Sequence, residues 1–234
     1  MTPDIRALVE QWWADVFDVE VEDLWRACTV HDHALLADYA GWWAAWRDGT
    51  THVSAPGGAD DRTLTELAEA EPETLSTTAF WESFAGVRGL ELVGPTVHSY
   101  LDDDPGEDDS VPRLDPAFLG HLRSSAADAE WAESGFADEP SIVFGCFAGG
   151  ELVAAANLTE FAGRPRDVGL LVRSDHRGRG LGHRVAGAAA SYAVRHHGLA
   201  RWRSTPGNDA SRAIARELGF EDYATQLAVR ASRA

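Results

Sequence analysis

The sequence predicts a two-part α/β chain, with an N-terminal α+β region over residues 1–105 and a second α/β domain over 106–234. Three observations predict it. Residues 102–110 combine like charges with Pro105 and Gly106 and read as a linker at a domain boundary. Before that stretch, an apolar helical repeat is followed by a hairpin pattern. After it, strand-like and helix-like segments alternate to the end of the chain.

In the N-terminal region, Ile5, Leu8, Val9, Trp12 and Val16 recur at helical spacing and place an amphipathic helix over 3–17. Residues 41–46 and 51–55 flank a turn at Arg47, Asp48 and Gly49, which makes a hairpin. Two short helices follow near 61–70 and 78–85, then a strand-like run over 90–101 that Gly94-Pro95 interrupts. Beyond the linker, a short strand over 111–114 precedes helical segments near 115–124 and 127–134. A second hairpin joins 142–147 to 152–158 through Gly149-Gly150, and a further strand covers about 167–172. A glycine-rich loop then opens a helix over 180–197, whose Leu181, Val185, Ala188, Ala189 and Tyr192 make one apolar face. A strand over 199–204 leads through Pro206-Gly207 to a helix with Ala210, Ile214 and Leu218 at i, i+4 and i+8. Gly219 ends that helix as a left-handed C-cap, and a last strand covers about 223–229.

Composition narrows the function classes. A hydrophobic share of 44% over 234 residues is enough for an ordinary core. No apolar run approaches the roughly 18 residues of a membrane helix, and the first residues lack a basic segment leading into an apolar one, so the expectation is a cytoplasmic protein without a membrane partner. Cys28 and Cys146 show no CxxC spacing and are expected to be reduced and buried. His31-x-His33 puts two imidazoles on one strand face without an identifiable third ligand, so no metal is expected. The charged residues are 38 acidic against 20 basic, for a net charge of −18. Such a surface repels nucleic acid phosphate. All 20 basic residues are arginine, which excludes a pyridoxal phosphate Schiff base and a Walker A loop, since both need lysine. Dense carboxylates without lysine are the pattern expected of a protein working in concentrated salt. GC-biased codon usage also removes lysine but does not explain −18. Seven of the nine tryptophans fall within 12–81, either to pack a core or to line an aromatic acceptor pocket.

The stretch over 172–185 carries the chemistry. A strand runs directly into a turn with Gly178, Gly180 and Gly182 and then into a helix. Glycines permit positive φ and close backbone approach, and the free N–H groups of a first helical turn lie at its positive dipole end. This is a phosphate or pyrophosphate cradle, and Arg177, Arg179 and Arg184 put positive charge around it. The spacing is not that of a dinucleotide fingerprint, because position 183 is His where G-x-G-x-x-G needs its third glycine.

The segment resembles the coenzyme A signature of the GNAT acetyltransferases, Arg/Gln-x-x-Gly-x-Gly/Ala, with Arg177, Gly180 and Gly182 on its key positions. Trp202 and Arg203, then Asn208, Ser211, Ala215 and Leu218-Gly219-Phe220, are similar to the strand, acyl-side helix and Leu-Gly-Phe turn of that family. The resemblance covers about residues 110–230. It implies a mixed, mostly antiparallel sheet flanked by helices, acetyl-CoA as co-substrate and a small-molecule or peptide amine as acceptor. It also implies that the strand before the loop, with Leu170, Leu171 and Val172, splays from its neighbour and pairs with the pantetheine arm. On this resemblance Arg177, Gly178, Arg179, Gly180, Leu181, Gly182, Asn208 and Ser211 complete the donor site.

One departure concerns the general acid. Many members carry a tyrosine where this sequence has Ala215, so Tyr223, Ser211 or a water is left to protonate the departing thiolate, or it leaves unassisted. The base candidates are Glu160 and Asp167, with Glu130 and Glu133 near Trp131 on helices that normally line the acceptor groove. The reaction expected is acetyl transfer by direct amine attack on the thioester. The rival classes are a non-catalytic acyl-CoA sensor and a purely structural interaction domain. Residues 1–105 are compatible with a degenerate GNAT-like lobe that binds acceptor or forms a homodimer.

Overall fold

The computed structural model describes residues 1–26, 28–33, 39–137 and 142–232. The chain forms two compact units. An N-terminal unit holds Arg6–His98, Thr205–Gly207 and the segment from Tyr223 on. A C-terminal unit holds Met1–Ile5, Ser99–Ser204 and Asn208–Asp222. This division falls at 98/99, where the sequence suggested 105/106, and it returns the last strand to the N-terminal unit.

The N-terminal unit begins with α1 (Pro3–Phe17), most of which belongs to it, and β1 (Thr29–Asp32). The hairpin follows as β2 (Gly41–Arg47) and β3 (Thr50–Ala55). Its turn is tight because Asp48 and Gly49 both take positive φ, the pairing that matches strand twist. Helices α2 (Asp61–Glu69), α3 (Pro72–Leu75) and α4 (Thr78–Arg88) lead to β4 (Glu91–Leu101). Strand β4 runs unbroken through Gly94-Pro95, where an interruption was expected. Within it Gly94 takes a φ of 100°, a backbone conformation that glycine adopts readily. The last strand, β10 (Glu221–Arg230), pairs antiparallel with β2, and β1 pairs parallel with β3. One sheet face, with Trp42, Ala44, Leu227 and Val229, packs on Leu67, Leu75, Trp81 and Phe84 of the helices. Elsewhere in the unit Trp13 is fully buried among the rings of Phe17, Trp25, Trp43 and Tyr223. The tryptophan-rich segment thus supplies core packing.

The C-terminal unit contains β5 (Arg113–Leu114), α5 (Leu119–Ser124), α6 (Asp128–Glu133), β6 (Ile142–Ala148), β7 (Glu151–Phe161), β8 (Arg164–Val172), α7 (Leu181–His197), β9 (Ala200–Ser204) and α8 (Asp209–Glu217). Strands β5 to β8 pair antiparallel in sequence order, and β8 pairs parallel with β9. The sheet is therefore mixed and mostly antiparallel. Strands β7 and β8 extend further than the sequence suggested and turn at Ala162-Gly163, both at positive φ. Pro165 lies beside a bulge between Thr159 and Glu160, where its missing N–H disturbs the ladder least. One sheet face packs on α7 through Ala154, Ala156, Val168 and Trp202 against Val185, Ala186, Ala189, Ala190 and Ala193. Small alanines let the helix lie close to the strands. The other face, with Val143, Ala155 and Leu171, is covered by Leu119, Leu122 and Phe136.

Residues 102–110 are not a free linker. Arg184 Nε donates to Asp108 Oδ2 at 2.8 Å, and Arg195 pairs with Glu107 and lies 3.9 Å from Asp104. Arginines more than seventy residues away along the chain neutralise what reads locally as a self-repelling run, and the stretch lies inside the C-terminal unit. Cys146 is buried as expected, but Cys28 is exposed. Among the described residues no helix is long and apolar enough to cross a membrane.

Candidate functional site

The site arises from a fork in the sheet of the C-terminal unit. Strand β8 pairs with β7 along its whole length, yet its ladder with β9 consists of Asp167↔Arg201 and Val168↔Trp202. Beyond those two rungs the strands part. The cleft that opens has a volume of about 560 Å³, with Gly169, Leu170, Leu171 and Val172 on one wall and Trp202, Arg203 and Ser204 on the other. Trp202 fastens β9 toward α8, since its buried indole donates to Ser211 Oγ at 3.0 Å and packs on Phe220. On the opposite wall Gly169 lets the end of α6 close against β8. A Cβ there would collide with the Ser134 carbonyl and the Asn157 amide.

The glycine loop closes one end of the cleft. After β8 the chain makes a 3₁₀ turn at Ser174–His176, and Gly178 and Gly180 then take φ of 73° and 75°. A side chain at either position would project into open space, so the backbone there is accessible to a ligand. Gly182 was expected to share that role, but it lies buried in the first turn of α7. A Cβ on it would come 3.0 Å from Ile214 and 3.4 Å from Val172, so this glycine serves packing. Arg184 N–H to Gly180 O, at 3.2 Å, is the first helical hydrogen bond of α7. The N–H groups of Leu181, Gly182 and His183 precede it, at the positive end of a 17-residue helix, and all three residues line the cleft.

The arginines around this loop already have partners within the same chain. Arg177 Nε donates to Val172 O at 3.1 Å and its Nη2 to Glu130 Oε1 at 2.6 Å. That guanidinium holds the Glu130 carboxyl below the usual range. Arg184 faces Asp108, whose carboxyl its hydrogen bond pulls down to about 2, and Arg179 donates to the Asp175 carbonyl at 3.2 Å. Arg173, which sequence reasoning passed over, braces the loop by pairing with Asp175 and Glu151, each at 2.7 Å. Its signal was an Arg-x-Asp spacing at a strand end.

Of the residues expected to bind donor, Leu170, Leu171, Val172, Arg177, Gly178, Gly180, Leu181, Gly182, Asn208 and Ser211 line the cleft, and Arg179 does not. Of the residues expected to move protons, Glu130, Glu133 and Ser211 also line the cleft, whereas Glu160, Asp167 and Tyr223 do not. Glu160 is exposed at the far end of β7. Asp167 is buried and accepts from Arg201 Nε and Arg203 Nε, each at 2.8 Å. Burial pushes its carboxyl up, but the two guanidinia outweigh that and hold it below the usual range, which suits an ion pair better than a base. Tyr223 belongs to the N-terminal unit, where its hydroxyl accepts from Trp25 Nε1 at 3.1 Å and burial raises its pKa. The carboxylates that line the cleft are those of Glu130, Glu133 and Glu217. Glu133 Oε1 accepts from Asn208 Nδ2 at 3.1 Å, and Asn208 Oδ1 in turn caps α8 through the Ser211 N–H.

A model of the acetyltransferase (GNAT) family matches residues 109–220. Among solved structures, an acetyltransferase from the GNAT family of Colwellia psychrerythraea is similar at 14% identity and a TM-score of 0.51, over 98% of this chain and 96% of that one. A Drosophila protein is similar at 18% identity and a TM-score of 0.51, over 82% of this chain and 74% of that one. No curated protein matches the chain. At these identities the structural likeness is one of fold.

Proposed function

Because residues 109–220 are a domain of the acetyltransferase (GNAT) family, we propose that the chain transfers an acetyl group from acetyl-CoA to an amine acceptor. The observation that carries this reading is the fork between β8 and β9 with the helix N-terminus at its end. Past Val168 the edge of β8 that faces β9 is no longer engaged by that strand, so an extended, amide-bearing chain can add to it as a strand would. At the loop end, the N–H groups of Leu181, Gly182 and His183 suit a pyrophosphate. The residues present therefore fit a nucleotide thioester with its phosphates at α7 and its acyl end near the apex of the fork.

Acetyl transfer forms a C–N bond and breaks a C–S bond. The ammonium form of the acceptor must first lose a proton, and the departing sulfur must gain one. Backbone N–H groups at the fork polarise the thioester carbonyl. Glu133 takes the first proton in place of Glu160 and Asp167, because it lines the cleft and its hydrogen-bond donor is the neutral amide of Asn208. Ser211 serves the sulfur in place of Tyr223. Its oxygen accepts from Trp202, which leaves its own O–H to donate into the cleft. Ala215 is buried on α8 and offers no such group.

Release of free thiol from acetyl-CoA in the presence of a panel of amines, peptides and aminoglycosides, at low and at molar salt, tests the reading. The expected result is release that depends on one class of amine. Tight acetyl-CoA binding without release for any acceptor would favour a non-catalytic acyl-CoA sensor.

A further inference from the structure

Helix α6 presents Glu130 and Glu133 three residues apart, and therefore on one face. That face meets both ends of the cleft. Glu130 holds Arg177 of the glycine loop at 2.6 Å, and Glu133 holds the Asn208 amide at the N-cap of α8 at 3.1 Å. A guanidinium for a phosphate and an amide N–H for a carbonyl are donors that a nucleotide thioester needs, and here the chain's own carboxylates occupy them. We propose that α6 is a carboxylate latch on the donor cleft, which acyl-CoA opens by displacing both glutamates. The inference rests on the acetyl-CoA reading above.

Two features make the latch exchangeable. The Arg177–Glu130 pair is about half exposed on each side, so water screens it and its loss is small. Helix α6 itself need not move: Trp131 and Ser134 hold it on the sheet, and the exchange needs only rotation of two glutamate side chains. Once phosphate takes Arg177 and a donor carbonyl takes the Asn208 amide, Glu130 and Glu133 lose these partners. They then stand beside the cleft as two carboxylates that attract an ammonium group. A cationic acceptor is thus favoured after the donor has bound.

Calorimetric titration with acetyl-CoA, on the full chain, compares wild type with Glu130→Gln, Glu133→Gln and Asp128→Asn. The last removes an equal charge from the same helix, but Asp128 pairs with Arg123. It therefore reports the general effect of a less negative protein. An exposed pair is worth about 0.2–1 kcal/mol, which is roughly 1.4- to 5-fold in affinity. The expected result is tighter binding by about that factor in each glutamine variant, measured relative to Asp128→Asn. The salt dependence should also be steeper in Glu130→Gln, because phosphate then no longer displaces an internal anion. Equal or weaker binding in folded glutamine variants would overturn the latch while leaving the donor site in place. Absence of binding in all four folded proteins would overturn the acetyl-CoA reading and the latch with it.

Discussion

Acidification should destabilise the N-terminal unit through His52. This β3 side chain is fully buried, with Nδ1 2.7 Å from Thr29 Oγ1 and Nε2 accepting from the Trp25 N–H at 3.4 Å. Both contacts suit the neutral ring, since a protonated Nε2 would face another donor. Burial first, and then the charge of His31, push its pKa from 6.5 down to about 4. Between those values the unfolded chain binds the proton and the folded chain does not. The stabilisation is therefore complete above pH 6.5 and lost as pH falls toward 4. At 1.36 kcal/mol per unit, the loss is about 3 kcal/mol. His31 is shifted in the same direction and adds to it. Relief of carboxylate repulsion acts the other way, so the measurement compares wild type with His52→Gln in urea unfolding followed by tryptophan fluorescence. The stability gap between them should shrink by about 3 kcal/mol from pH 7 to pH 4. A gap that stays constant across that range would refute the assignment of a buried neutral imidazole.

Other expectations follow from the site and the surface. Gly169→Ala forces a Cβ onto the Ser134 carbonyl and the Asn157 amide; it should cost about 1–3 kcal/mol in chemical denaturation and weaken acetyl-CoA binding by moving α6 off β8. Arg177→Ala should weaken acetyl-CoA binding by about 1–3 kcal/mol in calorimetry, the scale of a charge-assisted hydrogen bond. Molar KCl should raise the melting temperature, because a net charge of −18 repels itself less as the Debye length falls to about 3 Å; a flat or falling value between about 0.1 and 2 M would argue against salt adaptation.

Local signals carried most of the C-terminal unit. The glycine loop, the alanine-rich face of α7 and the Gly219 cap are each written in adjacent residues, and φ of 93° at Gly219 agrees with its expected role. Contacts between distant segments were not legible. Asp102 to Asp109 read as a repelling linker because nothing nearby names Arg184 and Arg195 as partners. Asp167 read as a free carboxylate at a strand start, and only the parallel rung with Arg201 places two guanidinia on it. Tyr223 followed the donor helix in sequence, yet its ring packs with Trp13 and Trp25 in the N-terminal unit. Gly169 offered a usable signal that was passed over, a glycine inside an apolar strand, which marks close approach of another backbone.

The central claim is that the loop over 177–182 and the first turn of α7 hold the phosphates of acetyl-CoA, and Gly180→Glu tests it most directly. Gly180 sits at φ 75° with open space where a side chain would go. The substitution strains the backbone by about 1–2 kcal/mol without a clash and should leave the protein folded by circular dichroism. It also places a negative charge where phosphate would lie. Calorimetric titration is predicted to show saturable acetyl-CoA binding to wild type and none to the variant. Unchanged affinity in a folded Gly180→Glu protein would contradict the account and move the donor site elsewhere.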